Sequence, residues 1–395
     1  MRIGLYYQDH LGSGGYPKDT RSLAEHLVRS GAEVFVYTFG DPDIETVRST
    51  LRTQCEKGIT VRLAQRKELD SKRYTLRRLE QWWSGNPDGI ELMTFWGTYL
   101  ISNIRAAMVA RKNKIPYVVS PLTGTLDQHR LRGGIFRFLR KEAFLRLYFR
   151  TVLQHALTIH ALSPFESEAI AKSFGIMPDK FIVVPLGIHT DEIVPTEYRR
   201  APSRSSDPGS YFLYLGRPDI HQKSIDLLLG AAGQLASFLR EKRLKLILAG
   251  KDRNNTWDKV SKIVAQKGLR DVVLVIRDVS DSEKYWLMER AVAFCHPSRY
   301  DGVPRSVRET LAVGTPVVVT RETNLSELVG HYDAGVVADL NATSIAKAMV
   351  KVSDPDLSQE LRRNALHLAS NELQWPALGD KYRTYYAKLL RGAML

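Results

Sequence analysis

The residues best placed to do chemistry lie in the stretch 296–320, HPSRYDGVPRSVRETLAVGTPVVVT. An apolar run ends at Cys295 and a loop carries Asp301 and Gly302. A helix is expected from about Pro304, since a proline in the first turn gives up no needed N–H. Gly314 and Pro316 close that helix before a valine-rich strand. Glu309 falls eight residues after Asp301, so one carboxylate sits in the loop and the other on the helix. Carboxylates so placed accept hydrogen bonds from hydroxyls at two ends of an extended ligand, such as a sugar and a ribose. Between them the helix start, with the Gly302 and Val303 amides, offers N–H groups to an anion. Taken singly, Asp301 reads as a turn cap and Glu309 as a solvated helix residue. In their strand–loop–helix setting they read together as a site for a sugar nucleotide.

A second segment, 211–223, is YFLYLGRPDIHQK. It opens as a strand, and Gly216, Arg217 and, six residues later, Lys223 follow. Fixed cations stabilise a departing diphosphate, which gains charge in the transition state, without having to reorganise. A third segment, Gly12-Ser13-Gly14-Gly15, follows the first strand. It is not the GxGxxG fingerprint, but Gly14 and Gly15 let backbone come close to a phosphate.

These loops need elements to position them. The chain has 395 residues, enough for two domains of ordinary size. Apolar runs recur at 3–7, 34–39, 90–96, 115–119, 157–162 and 181–185, separated by helix-period segments such as 18–29 and 99–114. Short apolar runs between Gly, Pro and polar residues read as buried parallel strands, and their alternation with helices means an α/β domain. A Pro-, Ser- and Arg-rich stretch then interrupts the pattern, VPTEYRRAPSRSSDPGS. The alternation restarts at 211–215, 244–249, 272–276, 291–295, 316–320 and 335–338, and the tail from 357 is helical. The expected organisation is a first doubly wound domain over 1–190, a linker over 191–209 and a second domain over 210–370. A final helix, 371–395, is expected to pack back on the first domain. Ligands of such sheets sit beyond the carboxyl ends of the strands, so the cleft between the domains is the expected site.

On these motifs the chain resembles the family 4 retaining glycosyltransferases of the GT-B fold, two Rossmann-like domains facing across a cleft. The shared signature is Pro297, Ser298, Asp301, Gly302, Glu309, Gly314, Pro316 and 317–319, with Gly216, Arg217 and Lys223 in the strand–loop before it. The likeness covers most of 1–340 and is strongest over 211–337. It implies a nucleotide-diphosphate sugar as co-substrate. Arg217 and Lys223 would hold the diphosphate, Glu309 the ribose and Asp301 the sugar. Gly14 and Gly15 would approach a phosphate, and Val279 would lie beside the base. The family usually has Glu where this chain has Asp301, which keeps the charge and shortens the reach. It also commonly places a His in the loop after the strand at 115–119, where this chain has Leu122 and Thr123. A donor lacking a 6-hydroxyl, a 6-deoxyhexose, would suit that change, with Thr123 and Asp127 as substrate contacts.

Asp41-Pro42-Asp43 and Asp354-Pro355-Asp356 have the spacing of a metal-binding DxD motif, yet each reads as a helix cap, so no metal or other cofactor is expected. Two cysteines cannot build a disulfide framework or a zinc site, and a reducing cytoplasm fits. No run of eighteen apolar residues spans a membrane. The net charge of +14 is dense between Arg130 and Arg150. The stretch 133–148, GGIFRFLRKEAFLRLY, sets apolar residues at helical spacing among arginines, as in a helix lying on anionic lipid at the inner face of a cell membrane. The expected activity is transfer of a hexosyl group, with retention, to a hydroxyl of a glycan or lipid-linked acceptor, as in surface polysaccharide synthesis. A sugar-nucleotide epimerase is the alternative of like architecture, but no acid–base set assembles around Asp301. A nucleic-acid binder would interleave basic and stacking residues on one face, and no such module stands outside 133–148, so nucleic acid is not an expected partner.

Overall fold

A computed structural model describes the chain except residues 70–71, 99, 123–133, 190–192, 203–208, 253–254 and 394–395. It divides into two compact units, Met1–Leu186 with Trp375–Leu395, and Gly187–Gln374. The stretch read as a linker therefore groups with the second unit, and the chain passes between units at Leu186 and again at Gln374. Ile188 and Gln374 form a parallel bridge at these crossings, with the Ile188 N–H donated to Leu373 O at 2.6 Å.

The first unit holds a seven-stranded parallel sheet: β1 (Arg2–Tyr6), β2 (Glu33–Gly40), β3 (Thr60–Gln65), β4 (Leu92–Trp96), β5 (Tyr117–Ser120), β6 (Thr158–Ala161) and β7 (Phe181–Val183). Their order is β3-β2-β1-β4-β5-β6-β7. Every residue of β4 and β5 is buried, which is why LMTFW and YVVS read as unbroken apolar runs. β3 did not show in the sequence. TVRLAQ lies at the sheet edge with only Ala64 buried, so it carries no apolar run. Beneath the sheet Trp83 is fully buried, edge-on to Tyr6 and Tyr37 at 5.9 and 5.4 Å between ring centres.

The second unit holds β8 (Ser210–Leu215), β9 (Leu244–Gly250), β10 (Val273–Arg277), β11 (Ala293–His296), β12 (Val317–Thr320) and β13 (Gly335–Ala338), again all parallel. Their order is β10-β9-β8-β11-β12-β13. In both sheets the chain winds outward one way from a central strand and then the other way. The crevice of such a sheet opens where the order reverses, between β1 and β4 and between β8 and β11.

The two Asp-Pro-Asp segments differ. Asp354 caps the helix Pro355–Glu372, accepting from Leu357 N at 3.0 Å, whereas Asp41 accepts from Asp43 N and closes a turn ahead of the helix Glu45–Glu56. The basic stretch is helical from Gly134 to Phe144, widens into a π turn over Leu145–Phe149 and resumes as α-helix over Arg150–His155. Among the described residues no helix is long and apolar enough to cross a membrane.

The C-terminal helix Trp375–Ala393 is clasped to the first unit by His160 on β6. Its Nε2 faces Val184 O at 2.7 Å and the Tyr382 hydroxyl at 2.9 Å, while Nδ1 faces Ser120 Oγ at 2.7 Å. A carbonyl only accepts, so Nε2 carries the proton and Nδ1 accepts from Ser120. Burial holds this imidazole down to about 4, and it stays neutral. Tyr382→Phe removes one buried partner and is expected to lower stability by about 1 kcal/mol in urea unfolding. An unchanged midpoint would show that the clasp contributes nothing.

Candidate active site

The loops at the β8–β11 reversal are laced to one another before any ligand is considered. Gly216 follows β8 and donates its N–H to Ala249 O at 3.0 Å. Gly250 closes β9 at φ +139°, and a Cβ there would stand 2.2 Å from Gly216 O, so only glycine fits. Asp219 takes the Gln222 N–H on its side chain (2.9 Å) and the Lys223 N–H on its carbonyl (3.0 Å), folding 217–223 into a compact turn. The partner loop after β11 docks on it. Arg299 donates its N–H to Gln222 O at 2.9 Å and forks its guanidinium onto Asp226 at 2.8 and 2.7 Å.

Arg217 lies along this turn, with Nη2 on Gln222 Oε1 at 2.9 Å, and its side chain is 59% exposed. Lys223 turns inward and pairs with Asp301 Oδ2, each side chain 12% exposed. That oxygen also accepts from His296 Nε2 at 2.8 Å and from Ser298 Oγ at 3.2 Å. Burial pushes the Asp301 carboxyl up, but the Lys223 ammonium and the His296 donor outweigh it and hold it below the usual carboxylate range. His296 is shifted down by burial and by Lys223, so its ring is neutral. With Nε2 donating to a carboxylate, Nδ1 is a bare acceptor, and this buried atom has no donor among the described residues.

Glu309 sits on the helix Arg305–Ala312, nearly buried. Its Oε1 accepts from Arg305 Nε (3.0 Å), Lys284 Nζ (3.1 Å) and the Tyr285 hydroxyl (3.3 Å). The helix begins one residue later than expected. Pro304 is its N-cap, at ψ 127°, and supplies no side-chain cap. Among the described residues the amides of Gly302 and Val303, just ahead of it, have no protein acceptor. Val279 is buried beyond β10, before the capping-box helix Asp281–Arg290 that delivers Lys284 and Tyr285.

The second unit thus carries Gly216, Arg217, Lys223 and Asp301 on two docked loops, with Gly302, Val303 and Glu309 following Asp301 along the chain and Val279 one loop away. Gly14 and Gly15 belong to the first unit, at the N-cap and first residue of the helix Gly15–Arg29. A Cβ on Gly15 would meet nothing within 4 Å, so packing does not demand glycine there. Thr123 and Asp127 lie outside the described residues. Sequence reading missed His296, Lys284, Tyr285 and Arg305. Arg305 was open to detection from its i,i+4 spacing to Glu309, and His296 from its place at the end of β11. Lys284 and Tyr285 arrive from another helix and left no local signal. Among the described residues no group of three His, Cys, Asp or Glu side chains could hold a metal ion. The second unit offers two cations on a braced turn, two amides with no protein acceptor among the described residues and a nearly buried glutamate.

Two parallel-sheet Rossmann-like units are the architecture of the GT-B glycosyltransferases. The model for glycosyl transferases group 1 matches residues 196–367, and that for the glycosyl transferase 4-like domain matches 14–187. The chain belongs to the group 1 glycosyltransferases, and the epimerase alternative is set aside. It is 26% identical over 264 residues to an MMP α-(1→4)-mannosyltransferase of Mycolicibacterium hassiacum, a match covering 64% of this chain and 61% of that relative's length. It is 24% identical over 394 residues to a mannosylfructose-phosphate synthase of Agrobacterium fabrum, covering 93% and 85%. Among solved structures, sucrose-phosphate synthase of Thermosynechococcus elongatus superposes with a TM-score of 0.75 at 18% identity, over 99% of this chain and all of that one. Anabaena HepE, solved with UDP-glucose, gives 0.70 at 16% identity over 98% and 100%.

The Gly216–Gly250 approach can be tested directly. Gly250→Ala meets both the strained φ and the carbonyl of Gly216, and is expected to cost about 3 kcal/mol in denaturant unfolding. Gly233→Ala, inside the helix Ile225–Gln234 and facing open space, is expected to cost nothing. Equal effects of the two changes would show that the close approach is not a constraint.

Proposed function

We propose that this enzyme moves a hexosyl group from a nucleoside-diphosphate donor to a hydroxyl of a glycan or lipid-linked acceptor, with retention at the anomeric carbon and without a metal. The observation that carries the reading is the Lys223–Asp301 pair at the β8–β11 reversal, with Arg217 on the same turn as Lys223 and Glu309 on the helix that follows the Asp301 loop. Arg217 and Lys223 take the diphosphate, the Gly302 and Val303 amides an anionic oxygen nearby, and Glu309 the ribose hydroxyls. The sugar C1–O bond breaks toward the diphosphate and a new bond forms to the acceptor oxygen. The acceptor proton passes to the departing diphosphate, since among the described residues no second carboxylate is placed as in a glycosidase. Gly14 and Gly15 remain candidates for an anionic group, and Val279 for the wall beside the base. A donor without a 6-hydroxyl fits Leu122 in place of the family's histidine, with Thr123 and Asp127 as contacts. Several relatives are named for mannose transfer, three of them for GDP-mannose, so guanosine sugars join the uridine, adenosine and thymidine series as candidates.

A peripheral, cytoplasmic-face association is part of the same reading. Residues 101–112 and 134–155 of the first unit carry eight basic side chains and one acidic one, half of the net +14. Phe136, Leu147 and Met108 stand 85%, 67% and 62% exposed among them. Leu147, Tyr148, Ile104 and Met108 line an apolar recess of about 280 Å³. Apolar side chains set in a cationic field suit an anionic bilayer carrying a lipid-linked acceptor.

Two measurements test this reading. In thermal-shift assays one nucleoside-diphosphate series should stabilise the chain selectively, and Arg217→Ala and Glu309→Ala should abolish the shift. Transfer should persist in EDTA and fall on the order of a hundredfold in Arg217→Ala. No stabilisation by any series would remove the donor site, and a clear preference for a 6-hydroxy sugar would remove the deoxyhexose. In sedimentation with vesicles, phosphatidylglycerol should carry the protein down and phosphatidylcholine should not, and Leu147→Glu should weaken the binding. Equal recovery with both lipids would remove the membrane association.

A further inference from the structure

Aspartate stands at 301 where the resembling family usually has glutamate, and one methylene fewer decides where the carboxylate goes. It turns into the protein. Oδ2 takes three donors, Lys223 Nζ, His296 Nε2 and Ser298 Oγ, all from the two laced loops and the end of β11. The histidine is itself held. Its ring lies near parallel to those of Tyr214 and Phe294, 6.1 Å from each centre and within 9° and 12°. With Nδ1 left bare in the core, His296 gains polar satisfaction only on the side facing Asp301 and Ser298. A fully buried imidazole aimed this way has one evident use, to fix the carboxylate that fixes the ammonium.

We propose that Asp301 is the built-in counter-ion of Lys223 and not a ligand of the transferred sugar, and that His296 is the positioning residue that aims it. This rests on the donor-site reading above, in which Lys223 meets the diphosphate. The pair keeps a cation in place where water is scarce, at the price of partly cancelling its charge. Removing one member of a buried pair leaves the other uncompensated and costs stability. An arriving diphosphate can supply the missing negative charge. Loss of Asp301 therefore weakens the empty protein and strengthens its hold on a diphosphate, whether or not a sugar is attached.

The experiment compares the nucleoside diphosphate found in the screen with its sugar derivative, by calorimetric titration and melting of the full chain. Asp301→Asn is expected to lower the melting temperature of the free protein and to tighten both ligands by the same factor. His296→Ala should move both ligands equally as well. His296→Gln, whose amide N–H can replace Nε2–H, should restore wild-type values. The double variant of Asp301→Asn and His296→Ala should go no further than Asp301→Asn alone. If Asp301 instead touches the sugar, Asp301→Asn leaves the diphosphate unchanged and weakens the sugar nucleotide about tenfold or more, and the inference falls. Should Asp301→Asn not fold, the His296 variants carry the same comparison, and an effect confined to the sugar nucleotide overturns the inference equally. A wild-type chain that binds no diphosphate overturns the donor-site reading first and this inference with it.

Discussion

A buried ammonium must be paired, and Lys223 with Asp301 is the pair around which the second unit's working loops are arranged. Burying either charge alone would cost several kcal/mol. The pair is tolerable because Oδ2 also takes a neutral imidazole donor and a hydroxyl. That need explains features that look incidental in isolation. The loop after β8 must fold into its Asp219 turn to swing Lys223 inward, and Arg299 must clamp Asp226 to keep the loop after β11 beside it. Gly250 must lack a side chain so that β9 can pass against Gly216. Arg217 meets Asp219 Oδ2 at 3.4 Å and lies along the exposed side of the same turn.

The order of the strands makes this convergence possible. In a parallel sheet every carboxyl end faces the same way, and the reversal between β8 and β11 parts the connecting loops there. Residues 217–223 and 297–309 are remote in sequence but occupy adjoining strand ends. The helix Arg305–Ala312 starts there with a proline that cannot cap it, so no side chain takes the amides of its first turn. A capping side chain at 304 would compete with an anion for them.

Much of this was legible in the sequence, and the exceptions have physical reasons. Strands buried on both faces declare themselves as apolar runs, as 92–96 and 317–319 do. The edge strand Thr60–Gln65 needs no such run and was invisible. Asp354 and Asp41 share a local pattern, yet only Asp354 meets a helix start, because the helix after Asp41 begins later. The compositional break lies near 190–210, while the units part at Leu186, where Ile188 joins Gln374. The carboxylates were read from residue type and spacing, and Arg217 and Lys223 from the family resemblance. Their partners were not, since the bonds from His296 to Asp301 and from Lys284 to Glu309 depend on where a strand ends and how a neighbouring helix packs.

The central claim is that the β8–β11 reversal holds a nucleoside diphosphate. A crystal structure of the full chain grown with a saturating nucleoside diphosphate tests it most directly. The account predicts density for two phosphates against Arg217 and Lys223, with the ribose hydroxyls at Glu309. A diphosphate bound elsewhere, or the pocket left empty at saturation, would contradict it.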